Sequence, residues 1–325
     1  MTNKNLKIPY KGSKNKIADQ LIDKMLELKP NAKYFIDFFG GGASMSFKAM
    51  ERGLKVIYND KDKRIVELLK LIKDRLIKGE RSKYGLFPEE YYNFVDRKTF
   101  FENIKKDTAY AGFIGACYSF GNDFRTYLCS EDKEEYKKLL HNIIVFNCEF
   151  SLELFNEKYN FNINLSNKET INKRRLEIIK LQRLQRLEEL QQLEQLGRLQ
   201  QLEQLQQLLQ LEQLERLQLL QQLQRLQQLE ILNLSYEELL KYYYNFKDEE
   251  VILYCDPPYK NTNSYKTSFN NDKFINYLIK SEYTFYISEY YIEDFIEIFS
   301  IKKRQTLCAT SNSKIKQEKL YINGL

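Results

Sequence analysis

The chain has 325 residues, which is long enough for one large domain or two. A formal net charge of +6 permits a polyanionic partner without requiring one. Five cysteines without C-x-x-C spacing and a single histidine, His141, argue against a disulfide framework, a zinc site and a histidine-based catalytic triad. The polar N-terminus and the lack of a long apolar stretch predict neither secretion nor membrane spanning, so we expect a cytoplasmic protein.

The first predicted element is an amphipathic helix that follows the stretch Tyr10-Lys11-Gly12-Ser13-Lys14. Ser13 is placed to cap this helix. Its apolar residues recur at helical spacing, namely Ile17, Leu21, Ile22, Met25 and Leu26. On this pattern alone, a solvated surface helix and a ligand-binding segment are equally good interpretations.

A strand over 34–37, a glycine turn over 38–42 and a helix over 43–52 follow. Glycines let the backbone approach a ligand, and the helix N-terminus behind them is electropositive. The run Phe38-Phe39-Gly40-Gly41-Gly42 is not G-x-G-x-x-G, so it fits a dinucleotide site poorly.

A second strand, Leu54 to Tyr58, ends in Asn59-Asp60, and a helix is predicted over 61–80. Asp60 follows Asp37 by 23 residues, close to the spacing at which a carboxylate meets ribose hydroxyls in doubly wound sheets. This pairing predicts a ribose contact for Asp60.

Residues 81–180 have a mainly helical pattern in which aromatic residues are interleaved with bases and acids. The segment Phe113 to Phe124 is the most distinctive piece. One interpretation of this segment is a packed pair of helices that contain glycine. The basic cluster Lys173-Arg174-Arg175 with Lys180 is either a solvated face or a contact to phosphates.

Leucine recurs at every third position from Leu181 to Leu232. The residues between are strong helix formers, but a period of three winds the leucines round a helix and gives no fixed apolar face. We therefore expect helix here, in an insertion that the fold tolerates. Its five Arg and seven Glu give −2, so the remainder of the chain carries +8.

After a helix over 234–244, the apolar run Val251 to Cys255 predicts a buried strand. Asp256-Pro257-Pro258-Tyr259 must then leave the sheet, because neither proline has an N–H for the ladder. This turn offers a carboxylate, a backbone carbonyl and an aromatic ring, which suit chemistry on a flat ring that bears an amino group.

The remaining predictions for the C-terminal part are a mobile loop over 261–269, a helix over 272–280, a strand over 284–290, a helix over 292–299, and an antiparallel pair formed by 303–309 and 318–322.

Together these motifs resemble those of the Dam-like (D12 class, alpha group) DNA adenine N6-methyltransferases, which use S-adenosylmethionine. The resemblance implies an α/β fold with a Rossmann-like class I methyltransferase sheet, a C-terminal antiparallel hairpin and a mainly helical recognition module. It implies a discontinuous catalytic domain over 1–80 and 233–325, a recognition module over 81–180 and a repeat insertion over 181–232.

The resemblance also implies the site residues. The catalytic motif is Asp256, Pro257, Pro258 and Tyr259. The cofactor residues are Tyr10, Lys14, Asp37, Phe39, Gly40, Asp60 and Asp256. The residues expected to contact double-stranded DNA are Lys11, Ser119, Asn122 and Arg125. We expect neither a metal nor a membrane partner.

In this hypothesis the Asp256 carboxylate and the Pro257 carbonyl accept the two N–H groups of a flipped-out adenine, and Tyr259 stacks on its ring. Two other classes stay open at this stage. One is an amino-methyltransferase that acts on cytosine N4 or on RNA. The other is a non-catalytic DNA-binding or scaffold protein built on the repeat.

Overall fold

The computed structural model describes residues 8–165, 170–191, 229–242, 246–258, 269–289, 291–292, 295–304 and 315–323. The described α-helices are α1 (Ala18–Leu28), α2 (Ser44–Glu51), α3 (Lys63–Lys78), α4 (Arg97–Asn103), α5 (Ala109–Tyr118), α6 (Glu134–Phe146), α7 (Glu149–Tyr159), α8 (Ile171–Gln191), α9 (Tyr236–Tyr242) and α10 (Asn271–Ile279). The described strands are β1 (Tyr34–Asp37), β2 (Lys55–Asn59), β3 (Glu230–Leu232), β4 (Val251–Cys255), β5 (Phe285–Glu289), β6 (Ile296–Arg304) and β7 (Ile315–Ile322).

These strands form one mixed sheet in the order β3-β2-β1-β4-β5-β7-β6. The first five run parallel, and β7 lies antiparallel between β5 and β6. After β1 the chain adds β2 and β3 on one side, and after β4 it adds β5 and the hairpin on the other, so the strand order switches between β1 and β4. In sheets of this kind, ligands bind at the carboxyl ends of the strands where the order switches.

The central strands are buried because helices cover both faces of the parallel part of the sheet. Every residue of β4 is buried, as the continuous apolar run Val251 to Cys255 predicts. The strand register aligns Asp37 with Tyr58 of β2 and Tyr254 of β4. The residues that follow these three strands therefore meet at one edge of the sheet.

Two apolar clusters fill the two sides of the sheet, and a third lies in the helices of the middle segment. One side receives α1 through Leu21 and Met25, and the other receives α10 through Phe274 and Leu278. The third cluster joins α6, α7 and α8, and its buried members are Leu139, Leu140, Ile143, Phe155, Ile163, Leu165 and Ile178.

Most of the predicted elements are confirmed. The strands expected over 34–37, 54–58, 251–255 and 284–290 are β1, β2, β4 and β5, and the helices expected over 43–52 and 61–80 are α2 and α3. The helices expected over 234–244 and 272–280 are α9 and α10. The mainly helical character of 81–180 is also confirmed by α4 to α8.

The predicted helix over 292–299 is wrong, because residues 296–304 form strand β6. This strand pairs with β7 from the register Ile296↔Ile322 to Arg304↔Ile315, with an irregularity between Glu297 and Phe299. Ile296, Ile298 and Ile301 are β-branched, which favours a strand. The predicted closing pair is correct for 318–322 in β7 and for 303–304 in β6, and residues 305–309 lie outside the described residues.

The leucine array is helical at its start and a strand at its end. Helix α8 extends to Gln191, as expected, but Glu230–Leu232 form β3 and pair in parallel with β2. Leu229 is fully buried in the main core. The expectation of helix is therefore wrong for the last repeat, and residues 192–228 lie outside the described residues.

The predicted cap of the first helix is also wrong. Helix α1 begins after Ile17, and no side chain caps it. Ser13 accepts a hydrogen bond from the backbone N–H of Asn15, at 3.4 Å, in the turn before the helix. The polar stretch between Ser13 and Ile17 is therefore a turn, and the helix begins at Ala18, after the position that a cap at Ser13 would give it.

Candidate active site

Three aspartates converge at the carboxyl ends of the central strands. Asp37 ends β1, Asp60 follows β2 and Asp256 follows β4. Burial, together with the negative charges of Asp256 and Asp60, raises the pKa of Asp37 to about 7 against the hydrogen bond from Ser46. The three carboxylates are thus close enough to influence one another.

Asp60 fixes the glycine turn between β1 and α2. One carboxylate oxygen accepts the N–H of Gly41 at 2.7 Å, and the other accepts the N–H of Asp62 at 2.7 Å. Burial raises the pKa of Asp60 to about 6 although these hydrogen bonds favour the ionised form. Asp60 therefore holds the glycine turn in shape.

The turn requires glycine because aromatic rings pack directly against it. A Cβ atom at Gly40 would lie 2.1 Å from the ring of Tyr58, and the Tyr58 hydroxyl donates to the carbonyl of Gly41 at 2.7 Å. Tyr10 covers the next glycine, where a Cβ would lie 2.9 Å from its ring. The glycines thus allow close packing beneath the turn.

Phe39, which we expected at the cofactor, belongs to an aromatic group on the other side of the sheet. Its ring lies 5.5 Å from those of Phe269 and Phe274, edge to face in both cases, and 6.4 Å from that of Tyr236. Phe269 is the only residue of the predicted loop over 261–269 among the described residues.

A buried ion-pair cluster joins the first motif to the last. The Lys14 ammonium lies 2.9 Å from Asp256 Oδ1 and 3.0 Å from Glu318 Oε1. Burial by itself would lower the pKa of Lys14, but the two carboxylates raise it above its usual value. Sequence reasoning missed Glu318, since one acidic residue in a terminal strand carries no local signal.

The catalytic motif predicted from the sequence is only partly described. Asp256 is half-buried, Pro257 is buried and Pro258 is half-buried at the sheet edge. Tyr259 lies outside the described residues, so its expected stacking on a base stays a prediction.

The segment 119–127, here called the recognition turn, follows α5 and folds back on itself. Ser119 and Tyr127 form an antiparallel bridge, and the Phe120 N–H donates to the Thr126 carbonyl at 2.7 Å. The Ser119 hydroxyl is buried, donates to the carbonyl of Gly115 and accepts the N–H of Phe124. Ser119 therefore serves the shape of the turn.

Phe124 turns into the protein in a left-handed backbone conformation, with φ of 58°. A bulky residue pays a steric cost in this region of φ and ψ. Its ring occupies the space left by Gly115, where a Cβ would lie 2.2 Å away, and contacts Tyr10 edge to face at 5.4 Å. The recognition turn is thus packed against Tyr10, which covers the glycine turn.

Arg64 is a second residue that sequence reasoning missed. Its buried guanidinium donates to Asp62 at 2.8 Å and to the carbonyls of Ile104 and Phe124 at 3.0 and 3.3 Å. Because the Asp62 N–H donates to the Asp60 carboxylate, Arg64 links the end of β2 to the recognition turn.

The residues expected to contact DNA differ in their exposure to solvent. Lys11 and Arg125 are exposed, Asn122 is half-buried, and the neighbouring Phe120 is 58% exposed. Lys11 also lies close enough to Asp123 for its charge to help keep the pKa of that carboxyl low, although burial opposes this. These residues share the outer side of the recognition turn, whereas Ser119 lies inside it.

In the basic cluster, Arg174 is buried. It donates to the carbonyls of Ile144 and Val145, at 2.7 and 3.1 Å, near the end of α6. This arginine therefore completes a helix end, which neither of the two interpretations from the sequence included. Lys173, Arg175 and Lys180 are exposed.

The family was tested by comparison with protein-family models. The model of D12 class N6 adenine-specific DNA methyltransferases matches residues 10–195, more than half of the chain. The chain belongs to this family. The methyltransferase is therefore an enzyme that acts on adenine N6 in DNA, and its family implies S-adenosylmethionine as methyl donor. No curated protein matches the chain.

The family match spans the Lys14 motif, the glycine turn and the recognition turn of the methyltransferase, and it ends before Asp256. Within the described part of the chain, no group of three or more His, Cys, Asp or Glu residues is arranged to hold a metal ion. Among the helices that the structure describes, none combines the length and apolarity needed to cross a bilayer.

Proposed function

We propose that the edge formed by the ends of β1, β2 and β4 holds both S-adenosylmethionine and a flipped adenine. The observation that carries this proposal is the convergence of Asp37, Asp60 and Asp256, whose charges reach one another. Such an acceptor-rich, negatively charged wall fits a ligand with ribose hydroxyls, an ammonium and a sulfonium. The residues present therefore fit the cofactor that the family implies.

Each cofactor residue has a distinct part in this proposal. Asp60 accepts the ribose hydroxyls while it holds the Gly41 N–H, and Asp37 contributes negative charge beneath the turn. Tyr10 lines the pocket at the glycine turn and Gly40 shapes its floor, whereas Phe39 packs in the aromatic group on the other side of the sheet. The bound cofactor supplies an electrophilic methyl group on sulfur.

Asp256 and Pro257 hold the target amine. An exocyclic adenine nitrogen is a poor nucleophile because its lone pair is delocalised into the ring. Acceptance of its two N–H groups by the Asp256 carboxylate and the Pro257 carbonyl favours the tetrahedral nitrogen and directs its lone pair to the methyl group. The half-exposed position of Asp256 suits this role, and Tyr259 would stack on the base.

Lys11, Asn122 and Arg125 are proposed to contact the DNA, together with the exposed ring of Phe120. Basic side chains position a protein on phosphates, and an aromatic side chain can stack on an unpaired base. The charge of +8 outside the leucine array supports a polyanionic substrate. We assign residues 81–180 to a recognition module, which the separate cluster in α6 to α8 supports.

The same argument extends to the fold and the domains. The strand order, with an antiparallel strand inserted near one edge, supports a Rossmann-like class I methyltransferase sheet. It also supports a discontinuous catalytic domain over 1–80 and 233–325, to which the strand 230–232 should be added.

Asp256→Ala tests the proposed site. Methyl transfer from labelled S-adenosylmethionine to duplex DNA should be lost, with N6-methyladenine as the wild-type product after digestion to nucleosides. Cofactor binding, measured by calorimetry, should weaken but stay detectable. Asp74→Ala, an exposed substitution on α3, is the matched control and should retain wild-type activity. More than about a tenth of the wild-type rate in Asp256→Ala would refute the assigned role.

A further inference from the structure

The ion-pair cluster of Lys14 contains a carboxylate that the proposed chemistry does not use. Lys14 Nζ lies 3.0 Å from Glu318 Oε1 and 2.9 Å from Asp256 Oδ1, so one ammonium is shared by two carboxylates. The side chains of Lys14 and Glu318 are 4% and 2% exposed, whereas that of Asp256 is 21% exposed. A substrate can therefore reach Asp256, and Glu318 lies behind it.

The register of the C-terminal hairpin brings Glu318 to this place. Strand β7 runs antiparallel to β5, and the last residue of β5, Glu289, pairs with Lys319. Glu318 is one residue further along, level with the carboxyl end of β5, and it pairs with Ile301 of β6. It thus lies at the same sheet edge as Asp256.

A shared ammonium affects what Asp256 can do. A charge-assisted hydrogen bond from Lys14 draws electron density from the carboxylate that accepts it. With two acceptors, the ammonium is held between them, and the Asp256 carboxylate keeps more negative charge for the amine of the substrate. Removal of the charge on Glu318 would strengthen the hold of Lys14 on Asp256, in a buried environment where such a pair is strong.

We propose that Glu318 is a positioning residue for methyl transfer, which fixes the Lys14 ammonium and thereby the place and charge of the Asp256 carboxylate. This inference rests on the proposed role of Asp256. The competing interpretation is a purely structural ion pair that ties β7 to the rest of the sheet.

Glu318→Gln separates the two interpretations, because it keeps the shape of the side chain and removes its charge. The single-turnover rate of methyl transfer, at saturating cofactor and DNA, should fall about 10- to 100-fold, the range for one weakened hydrogen bond to a charged group. The dissociation constant for S-adenosylmethionine should change by less than about threefold, a smaller factor than the rate, because Lys14 and Asp256 both remain at the cofactor pocket and most of the loss arises in the reacting complex.

The same hairpin offers a matched control. Glu297 on β6 pairs with Lys319 at 2.7 Å and is 39% exposed. Glu297→Gln removes one charge from an ion pair of the hairpin and should leave the rate unchanged. Glu318→Asp keeps the charge on a shorter side chain and should recover part of the rate.

Each outcome decides the matter. A wild-type rate in Glu318→Gln, or equal losses of rate, cofactor affinity and thermal midpoint, would overturn the positioning role. If Glu318→Gln does not unfold cooperatively, Glu318→Asp is used in its place. A reduced rate of methyl transfer with unchanged cofactor affinity in Glu318→Asp supports the positioning role. A wild-type rate or a misfolded protein overturns it. Activity in Asp256→Ala would instead refute the proposed function, whereas an inactive Asp256→Ala beside a normal Glu318→Gln refutes only this inference.

Discussion

Two replacements in the leucine array should have different effects on stability. In the first variant, a Gly/Ser segment of equal length replaces residues 192–228. In the second, such a segment replaces the whole array, 181–232. The sequence pattern predicts little effect from either replacement, because leucines at a period of three form no fixed apolar face. The second also removes the ends of the array, which the fold uses.

The magnitude follows from the contacts of those ends. Leu229 is fully buried, and its carbonyl accepts a hydrogen bond from Lys73 at 2.6 Å. Removal of a buried leucine side chain costs about 2–5 kcal/mol. Strand β3 is also lost, as is the hydrogen bond of 2.7 Å from Gln182 to the Tyr136 hydroxyl. The second variant should therefore be at least about 3 kcal/mol less stable than the first, a decrease of about 6 °C or more in thermal midpoint.

Thermal unfolding by circular dichroism and calorimetric titration with S-adenosylmethionine measure the two effects. The first variant should unfold cooperatively within about 1 kcal/mol of the wild type and bind the cofactor. Leu229→Ala is the matched point substitution and should reproduce most of the loss in the second variant. An equal loss in the first variant would show that residues 192–228 belong to the core, and a neutral Leu229→Ala would refute the argument from burial.

Three other predictions concern the site. Asp60→Ala should weaken S-adenosylmethionine binding by about 1.5–3 kcal/mol, and unchanged affinity in calorimetry would move the ribose contact elsewhere. Because the folded-state pKa values of Asp37 and Asp60 are raised to about 7 and about 6, unfolding releases protons. The free energy of unfolding without cofactor should therefore fall as the pH rises from about 4 to about 7. The affinity for the cationic cofactor should rise between about pH 5.5 and 7.5, roughly the range in which these groups ionise. Denaturant titration measures the first effect and calorimetry the second, and the assignment would be contradicted if neither changed with pH. Gly115→Ala should displace the Phe124 ring, which a new Cβ would meet at 2.2 Å, and weaken DNA binding in fluorescence anisotropy more than cofactor binding; equal losses of both would refute a local effect.

Local sequence patterns were sufficient to predict the central strands of the sheet. The run Val251 to Cys255 is apolar at every position, which predicts a strand covered on both faces, and β4 is such a strand. Asp37, Asp60 and Asp256 follow three strands that the sequence identifies. Parallel strands end at a common edge, so their convergence could be expected before any coordinates were known.

Pairing between distant segments decided the elements that the sequence misjudged. Glu230–Leu232 lie in a helix-forming repeat, yet they form a strand because the edge of β2 offers unpaired backbone groups. Residues 296–304 form β6 because β7 provides a partner along their whole length. In the first segment the local preference for helix is weaker than the hydrogen bonds and burial gained from the partner, and in the second the partner adds to a β-branched composition that already favours a strand.

The sequence by itself determined the chemistry of the site: a lysine, a glycine turn, three carboxylates after strands, and an aromatic turn. Only the tertiary structure decided which groups share that chemistry. Glu318 reaches Lys14 through the register of an antiparallel strand, and Arg64 reaches Phe124 across 60 residues of chain. Contacts of this kind depend on the packing of segments far apart in sequence, and no periodicity within one segment encodes them.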